Sequence, residues 1–220
     1  MICLLVMTDG RGDCLTRTLA SFDSQVCGAI TRRVIHDDSG DGDYRAWLLE
    51  EYPDFEIVST AGRSGFGGAI ANAWQHIESG VEAYLFHLED DFTFNDEVNL
   101  WDLAVVLELN PQLAQIALKR QPVNPTEAKA GGFMGQWPDE FTDRTTLDVN
   151  WCEHRLFWTT NPALIPMRVV AWGWPDCPQS ARRFAESVFA DPSVTVGYLG
   201  HKDRAPVVHH IGERRNGVGY

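Results

Sequence analysis

Three carboxylates stand in a row at Glu89-Asp90-Asp91, directly after the apolar stretch 83–88. Carboxylates this close repel one another unless a cation neutralises them, and hard divalent ions favour oxygen ligands. The plainer reading is a capped helix start or an acidic surface loop, and on the triplet alone the two readings stand even. A second feature is the pair His209-His210 near the end of the chain. A carboxylate joined by an imidazole suits Mn²⁺ better than Ca²⁺, although histidine pairs commonly just pack beneath a sheet or face solvent. The third is Ala61-Gly62-Arg63-Ser64-Gly65-Phe66-Gly67-Gly68-Ala69, which follows a strand and opens a helix, so its amides and the helix dipole can face a phosphate. It fits neither the GxxxxGK[ST] loop nor GxGxxG, and small residues there also serve close packing of the helix. Arg63 is the sharper residue, because a guanidinium at a strand end can meet a base, a ribose or a phosphate.

The elements around these residues follow from the hydrophobic pattern. Apolar runs at 2–7, 30–36, 55–59 and 83–88 read as strands, and helical spacing at 13–22, 44–52 and 65–77 reads as helices between them. Strand and helix in alternation predict an α/β fold with a mostly parallel, Rossmann-type central sheet and helices on both faces. Such sheets bind ligands at the carboxyl ends of their strands. Thr8-Asp9, Asp37-Asp38, Arg63 and Glu89-Asp90-Asp91 follow the four successive strands, so polar residues converge on one edge. Any one of them is an ordinary polar loop; the four together are harder to dismiss.

The second half is less regular. Residues 98–109 read as a helix, 113–118 as a strand, 162–170 and 180–189 as helices and 194–199 as a strand. Between them, residues 119–149 carry three prolines and three glycines without a sustained apolar period and read as a long loop, the kind that serves as a lid. Residues 121–148 are therefore expected to be mobile without a ligand, with Trp137 closing over it. Core packing is expected of Trp47, Trp74 and Trp101, while Trp137, Trp172 and Trp174 stand evenly between core and sugar-stacking platform.

Composition bounds the possibilities. The 220 residues, 44% hydrophobic and 22% charged, suit one compact domain without repeats or linkers. A net charge of −13 repels phosphate backbones and disfavours nucleic-acid binding. No apolar run approaches the roughly 18 residues of a membrane helix, and nothing reads as a secretory signal or membrane anchor. Five cysteines without a CxxC pair argue against a disulfide scaffold or structural zinc and for a reducing cytoplasm, cellular or that of a phage-infected host. Oligomeric state leaves no trace in the sequence.

In order and spacing, His36-Asp37-Asp38-Ser39, then Arg63-Ser64-Gly65-Phe66-Gly67-Gly68-Ala69 with Asn72, then Leu88-Glu89-Asp90-Asp91 resemble the nucleotide-sugar-binding half of GT-A glycosyltransferases. More narrowly, they are similar to the inverting family-two type and its phage and actinobacterial relatives. The resemblance covers residues 1–95, resumes at His210-Ile211-Gly212, and is loose over 120–190. It implies a single GT-A-like domain over 1–220, with a nucleotide half at 1–95 and an acceptor half at 96–220 that carries the 120–149 loop and a metal-binding tail.

Carried over position by position, the resemblance implies that Thr8 and Asp38, with Asp37 as substitute, hold the nucleotide base, and that Arg63 lies beside base and ribose. Asp90 would meet the ribose, Asp91 and His210 would hold Mn²⁺ or Mg²⁺, and Arg214 or Arg215 would neutralise the departing diphosphate. The donor is expected to be a nucleotide sugar, a UDP-sugar first; the acceptor, whether glycan, lipid-linked sugar, protein or modified base, is left open. An inverting enzyme also needs a carboxylate to deprotonate the acceptor. Relatives carry it near the start of a helix after a Trp-containing loop, here Trp172 to Ala181, but Ala181 stands where the acid is sought after Ser180. The nearest candidates are Asp176 and Glu186, with Asp139 and Glu140 behind them, and Glu186 has an ordinary reading as a helical partner of Arg182 or Arg183. The missing acid keeps open a non-catalytic sugar-nucleotide binder or virion component. A nucleotidyltransferase ranks lower, because Thr8-Asp9-Gly10-Arg11-Gly12-Asp13-Cys14 after strand one holds one arginine and no lysine.

Overall fold

The computed structural model describes residues 1–212. Its strands are β1 (Ile2–Thr8), β2 (Val26–Cys27), β3 (Ile30–Asp37), β4 (Glu56–Ser59), β5 (Tyr84–Glu89), β6 (Phe92–Phe94), β7 (Val98–Asn99), β8 (Leu113–Ala117), β9 (Thr142–Thr146), β10 (Val149–His154), β11 (Ala163–Pro166), β12 (Thr195–Leu199) and β13 (Val208–His210). Its α-helices are α1 (Gly12–Gln25), α2 (Gly42–Glu51), α3 (Gly65–Glu78), α4 (Leu100–Leu109), α5 (Pro125–Lys129), α6 (Phe133–Gln136), α7 (Met167–Val170) and α8 (Ser180–Val188).

A nine-stranded sheet in the order β4-β3-β1-β5-β11-β8-β12-β10-β9 runs through the molecule. β4, β3, β1 and β5 pair in parallel, as do β8 and β12, while β11 and β10 run against their neighbours. Seven of the nine strands thus point the same way, the mostly parallel α/β sheet that the alternating pattern predicts. β1 shows why its sequence is a continuous apolar run: Ile2, Leu4 and Val6 enter one core and Cys3, Leu5 and Met7 the other, all buried. Leu15, Leu19 and Phe22, spaced one turn apart on α1, close the first core with α4. Ala69, Ala73 and Ile77 of α3 close the second, with Val169 of α7 and Phe184 of α8.

The second half departs from the sequence reading most at two places, besides the unforeseen strands β6, β10 and β13. The segment expected to be one helix over 162–170 is a strand, β11, followed by the single turn α7. All four β11 residues are buried, wedged antiparallel between β5 and β8, so the short apolar run is a two-sided sheet strand instead of an amphipathic helix. The stretch 119–149, expected to be a long mobile loop, is folded. It holds α5, α6, a 3₁₀ turn at Pro138–Glu140 and the edge strand β9, which forms a hairpin with β10. Asn124 caps α5 by accepting from the Glu127 amide at 2.9 Å, Arg120 pairs with Glu127 at 2.9 Å, and Phe133 packs against Tyr198 and Phe141. Its prolines and glycines punctuate short elements, which hides their period. Of the tryptophans, Trp74 and Trp174 are core and Trp47 is half-buried against it, whereas Trp101, expected in the core, is exposed, as are Trp137 and Trp172. Among the described residues no helix is long and apolar enough to cross a membrane.

Candidate active site

The carboxyl ends of β3, β1 and β5 lie side by side. Past those ends the parallel ladder continues for one more bond each way: the Asp38 amide donates to the Thr8 carbonyl and the Asp90 amide to that of Met7, both at 2.9 Å. Asp38 and Asp90 are thereby fixed on either side of β1, and both are buried. Gly10, at φ +100°, turns the chain so that Arg11 folds back over this edge and α1 begins.

Asp90 is wholly buried and its oxygens are spoken for. Oδ2 accepts from Thr8 Oγ1 at 2.7 Å, Oδ1 accepts from Arg11, and the main-chain carbonyl accepts from Thr18 Oγ1 at 2.7 Å. Thr8 in turn accepts from the Tyr44 hydroxyl at 2.7 Å. Asp91 Oδ2 meets the Arg11 guanidinium and lies 3.2 Å from His210 Nε2, while its buried Oδ1 has no hydrogen-bond partner. Burial pushes the Asp90 carboxyl up to about 7, against the pull of Arg11 and Thr8. Asp91 suffers the same burial, but the hydrogen bond from His210 and the charge of Arg11 hold it below the ordinary carboxylate range. Glu89, half-buried beside Asp91, is pushed up to about 8 by desolvation and by the Asp91 charge.

His210 reaches Asp91 because β13 pairs antiparallel with β6, setting His210 opposite Phe92, and because Gln121 exchanges two 2.9 Å bonds with the His210 main chain. The Ile211 amide donates to the Asp91 carbonyl at 2.8 Å. His209, its neighbour, is exposed; the structure brings His210 and not His209 to the carboxylates. A Cβ on Gly212 would fall 2.1 Å from Asp91 Oδ2, so only glycine lets the chain pass over the site.

The other expected residues divide. Asp38 accepts from the Ser64 amide at 2.7 Å, the Ser64 hydroxyl and the Gly65 amide at 2.8 Å, an N-terminal cap for α3 supplied from another strand. Asp37 braces its own turn by accepting from the Ser39 amide at 2.8 Å, and its Oδ2 is buried without a hydrogen bond, 3.7 Å from Arg45 Nε. Arg63 donates to Asp9 Oδ2 at 2.7 Å, and Arg11 Nε to Asp9 Oδ1 at 2.9 Å. The glycines that open α3 serve close packing against the 176–180 segment: a Cβ on Gly67 would meet Ser180 Oγ at 3.0 Å, and one on Gly68 would meet Asp176 Oδ1 at 3.3 Å. Asp176 is therefore carried to the first turn of α3. Glu186 is not; it sits on the outer face of α8, paired with Arg182 at 3.1 Å and Arg183 at 3.0 Å, and lines a separate open groove beside Trp172. Arg214 and Arg215 lie outside the described residues.

Thr8, Asp9, Arg11, Asp38, Phe66 and Glu89 wall a cleft between these strand ends and α3 that encloses about 30 Å³. Solved structures with a similar arrangement of elements include those of three glycosyltransferase-fold proteins. The chain superposes on S. aureus TarS 1–349 in complex with UDP-GlcNAc with a TM-score of 0.65, at 15% identity, over 98% of this chain and 59% of that one. It superposes on the mannosyltransferase PcManGT from Pyrobaculum calidifontis, in complex with GDP-Man and Mn²⁺, at 0.60, 15% identity, 98% and 58%. GalNAc-T7 with UDP, GalNAc and Mn²⁺ gives 0.67, 12% identity, 96% and 44%. The chain has the GT-A glycosyltransferase fold. It spans no more than about 60% of the length of these solved chains. No protein-family model matches the sequence, and no curated protein matches it.

Arg11 and Tyr44 also stand at this edge, although motif reading gives neither a role; Asp9 reads only as part of the polar end of strand one. Arg11 left one signal, as the single cation in the loop after strand one. Tyr44 left none, since it reads as an ordinary helix residue.

Proposed function

We propose that this chain is a divalent-metal-dependent glycosyltransferase that moves a sugar from a nucleotide-sugar donor, a UDP-sugar, to an acceptor hydroxyl with inversion. The observation that carries the reading is the unpartnered, buried Asp91 Oδ1 at the end of β5, with His210 Nε2 3.2 Å from its sister oxygen. Cis ligands of an octahedral ion at about 2.1 Å are separated by about 3.0 Å, so this pair suits one small divalent cation. Among the described residues no three His, Cys, Asp or Glu side chains converge on one point. Two protein ligands fit Mg²⁺ or Mn²⁺, which draw the rest of their shell from water and substrate phosphates. Bound there, the ion would supply charge stabilisation to the departing diphosphate.

The chain's own residues do the rest. Thr8, locked between Tyr44 and Asp90, holds the Asp90 carboxylate in place for the ribose. Asp38 and Asp37 at the end of β3 and Arg63 across the cleft edge are the base-side contacts, and Arg214 beyond the described residues is the further cation for the diphosphate. Asp176, held at the first turn of α3, is the better-placed carboxylate to take the acceptor hydroxyl proton than Glu186, whose oxygens are engaged by two arginines. The five unpaired cysteines accord with a cytoplasmic location.

Donor hydrolysis with Mn²⁺ against EDTA tests this. Turnover should vanish on chelation and fall about 100-fold in Asp91→Asn, the loss expected on removing one electrostatic partner of the transition state. Turnover indifferent to chelation overturns the metal role. A second reading, a nucleotide-sugar binder without turnover, is favoured by Ala181 at the start of α8 and by the engagement of Glu186 outside the cleft. Calorimetry showing tight UDP binding with no turnover on any donor would select it.

A further inference from the structure

The cation already between Asp90 and Asp91 is Arg11. Its Nη2 donates to Asp90 Oδ1 and its Nη1 to Asp91 Oδ2, while Nε donates to Asp9 at 2.9 Å, so one guanidinium spans three carboxylates. The oxygen it takes on Asp91 is the one 3.2 Å from His210 Nε2. A Cβ on Gly212 would lie 3.0 Å from Arg11 Nη1, so the tail closes over the same point. With Arg11 in this position the cleft beside it encloses about 30 Å³, room for a water or two.

We propose that Arg11 is a resident counter-cation, held by Asp90 and Asp91, that competes with the divalent ion for Asp91, so that the ion binds well only when a nucleoside diphosphate draws the guanidinium away. The inference rests on the reading of this edge as a metal and diphosphate site. Three carboxylates at adjoining strand ends need a positive charge when no ion is bound, and Arg11, at the start of α1, is the charge that supplies it. A divalent ion arriving alone must evict a guanidinium that holds three hydrogen bonds. A diphosphate arriving with the ion offers that guanidinium oxygens of equal charge, matched to its forked donors. Metal and nucleotide binding are then coupled through the side chain of Arg11, and the coupling is reciprocal.

Mn²⁺ binding, read from the loss of the free-ion electron paramagnetic resonance signal, tests this without any turnover. In the absence of nucleotide, Arg11→Ala should bind Mn²⁺ at least about tenfold more tightly than wild type, the size of effect a neighbouring cation has on a carboxylate's proton affinity. Arg11→Gln, which keeps side-chain donors without the charge, should do the same and stands in if the alanine variant does not fold. Added UDP or GDP should raise Mn²⁺ affinity strongly in wild type and by at least about tenfold less in either variant. Equal Mn²⁺ affinity in wild type and variants without nucleotide overturns the proposal, and so does equal coupling. If no protein binds Mn²⁺ even with nucleotide present, the metal reading itself has failed, an outcome distinct from metal binding that ignores Arg11.

Discussion

Asp38 shows how one side chain serves two ends. Its carboxylate accepts from two amides and a hydroxyl at the start of α3, and it also lines the cleft. Asp38→Ala should therefore cost about 1–2 kcal/mol in chemical denaturation, the usual loss of a helix cap, and weaken nucleotide binding together with it. Asp38→Asn, which can still accept, should recover most of the stability. Thr8 is tighter still, since Thr8→Val would leave the buried Asp90 Oδ2 without its donor. A loss of about 1–3 kcal/mol is expected in the same measurement.

At the scale of elements, β11 joins the two halves of the sheet. It accepts β5 on one side and β8 on the other, and Leu164 is fully buried opposite Phe86 and Ile116. Leu164→Ala should lower unfolding free energy by about 2–5 kcal/mol, in the range of cavity-forming core substitutions. Because β5 ends in the Glu89–Asp91 triplet, the variant should also weaken Mn²⁺ binding in the presence of nucleotide, a readout that stability alone would leave unchanged below the melting temperature. A local helix in place of the strand would predict a smaller loss and no effect on the metal. The α3 start is the counterpart on the other side, where the glycines admit the 176–180 segment and set Asp176 against the first turn of α3.

The whole molecule carries a record of acid sensitivity. His36, His87 and His154 are buried, and burial lowers all three, His87 to about 4 and His154 to about 3. In the unfolded chain a histidine takes its proton near pH 6.5. Between there and about pH 4 the unfolded state holds a proton that native His87 refuses, so its contribution is fully present above pH 6.5 and is lost as pH falls. Glu89, raised to about 8, works in the opposite sense, favouring the native state as pH falls from 8 toward the ordinary carboxylate range. Comparing wild type with His87→Leu isolates the histidine. The stability difference should be flat above pH 7 and should shift in favour of the variant by up to about 1.4 kcal/mol per pH unit between 6.5 and 4. A constant difference through that window would mean that His87 titrates normally.

What the amino-acid sequence determined by itself is the first half of the chain, with its four parallel strands. Strands buried on both faces are written as unbroken apolar runs, helices as one-turn spacings, and parallel strands carry their polar ends to a common edge, so the strands at 2–7, 30–36 and 83–88 and the helix at 65–77 are legible in the sequence alone. All of that is local. Tertiary structure decided the rest, because it depends on partners far apart in the chain. Nothing within 163–166 says that it pairs with 84–87 instead of coiling, and the choice is made by two sheet edges waiting for a strand. Nothing in His209-His210 says which ring faces inward until β13 sets its register on β6. Arg11 reads as a loop residue until residues 79 and 80 positions further on place Asp90 and Asp91 around it, and charge that must be neutralised in a buried corner selects its position there.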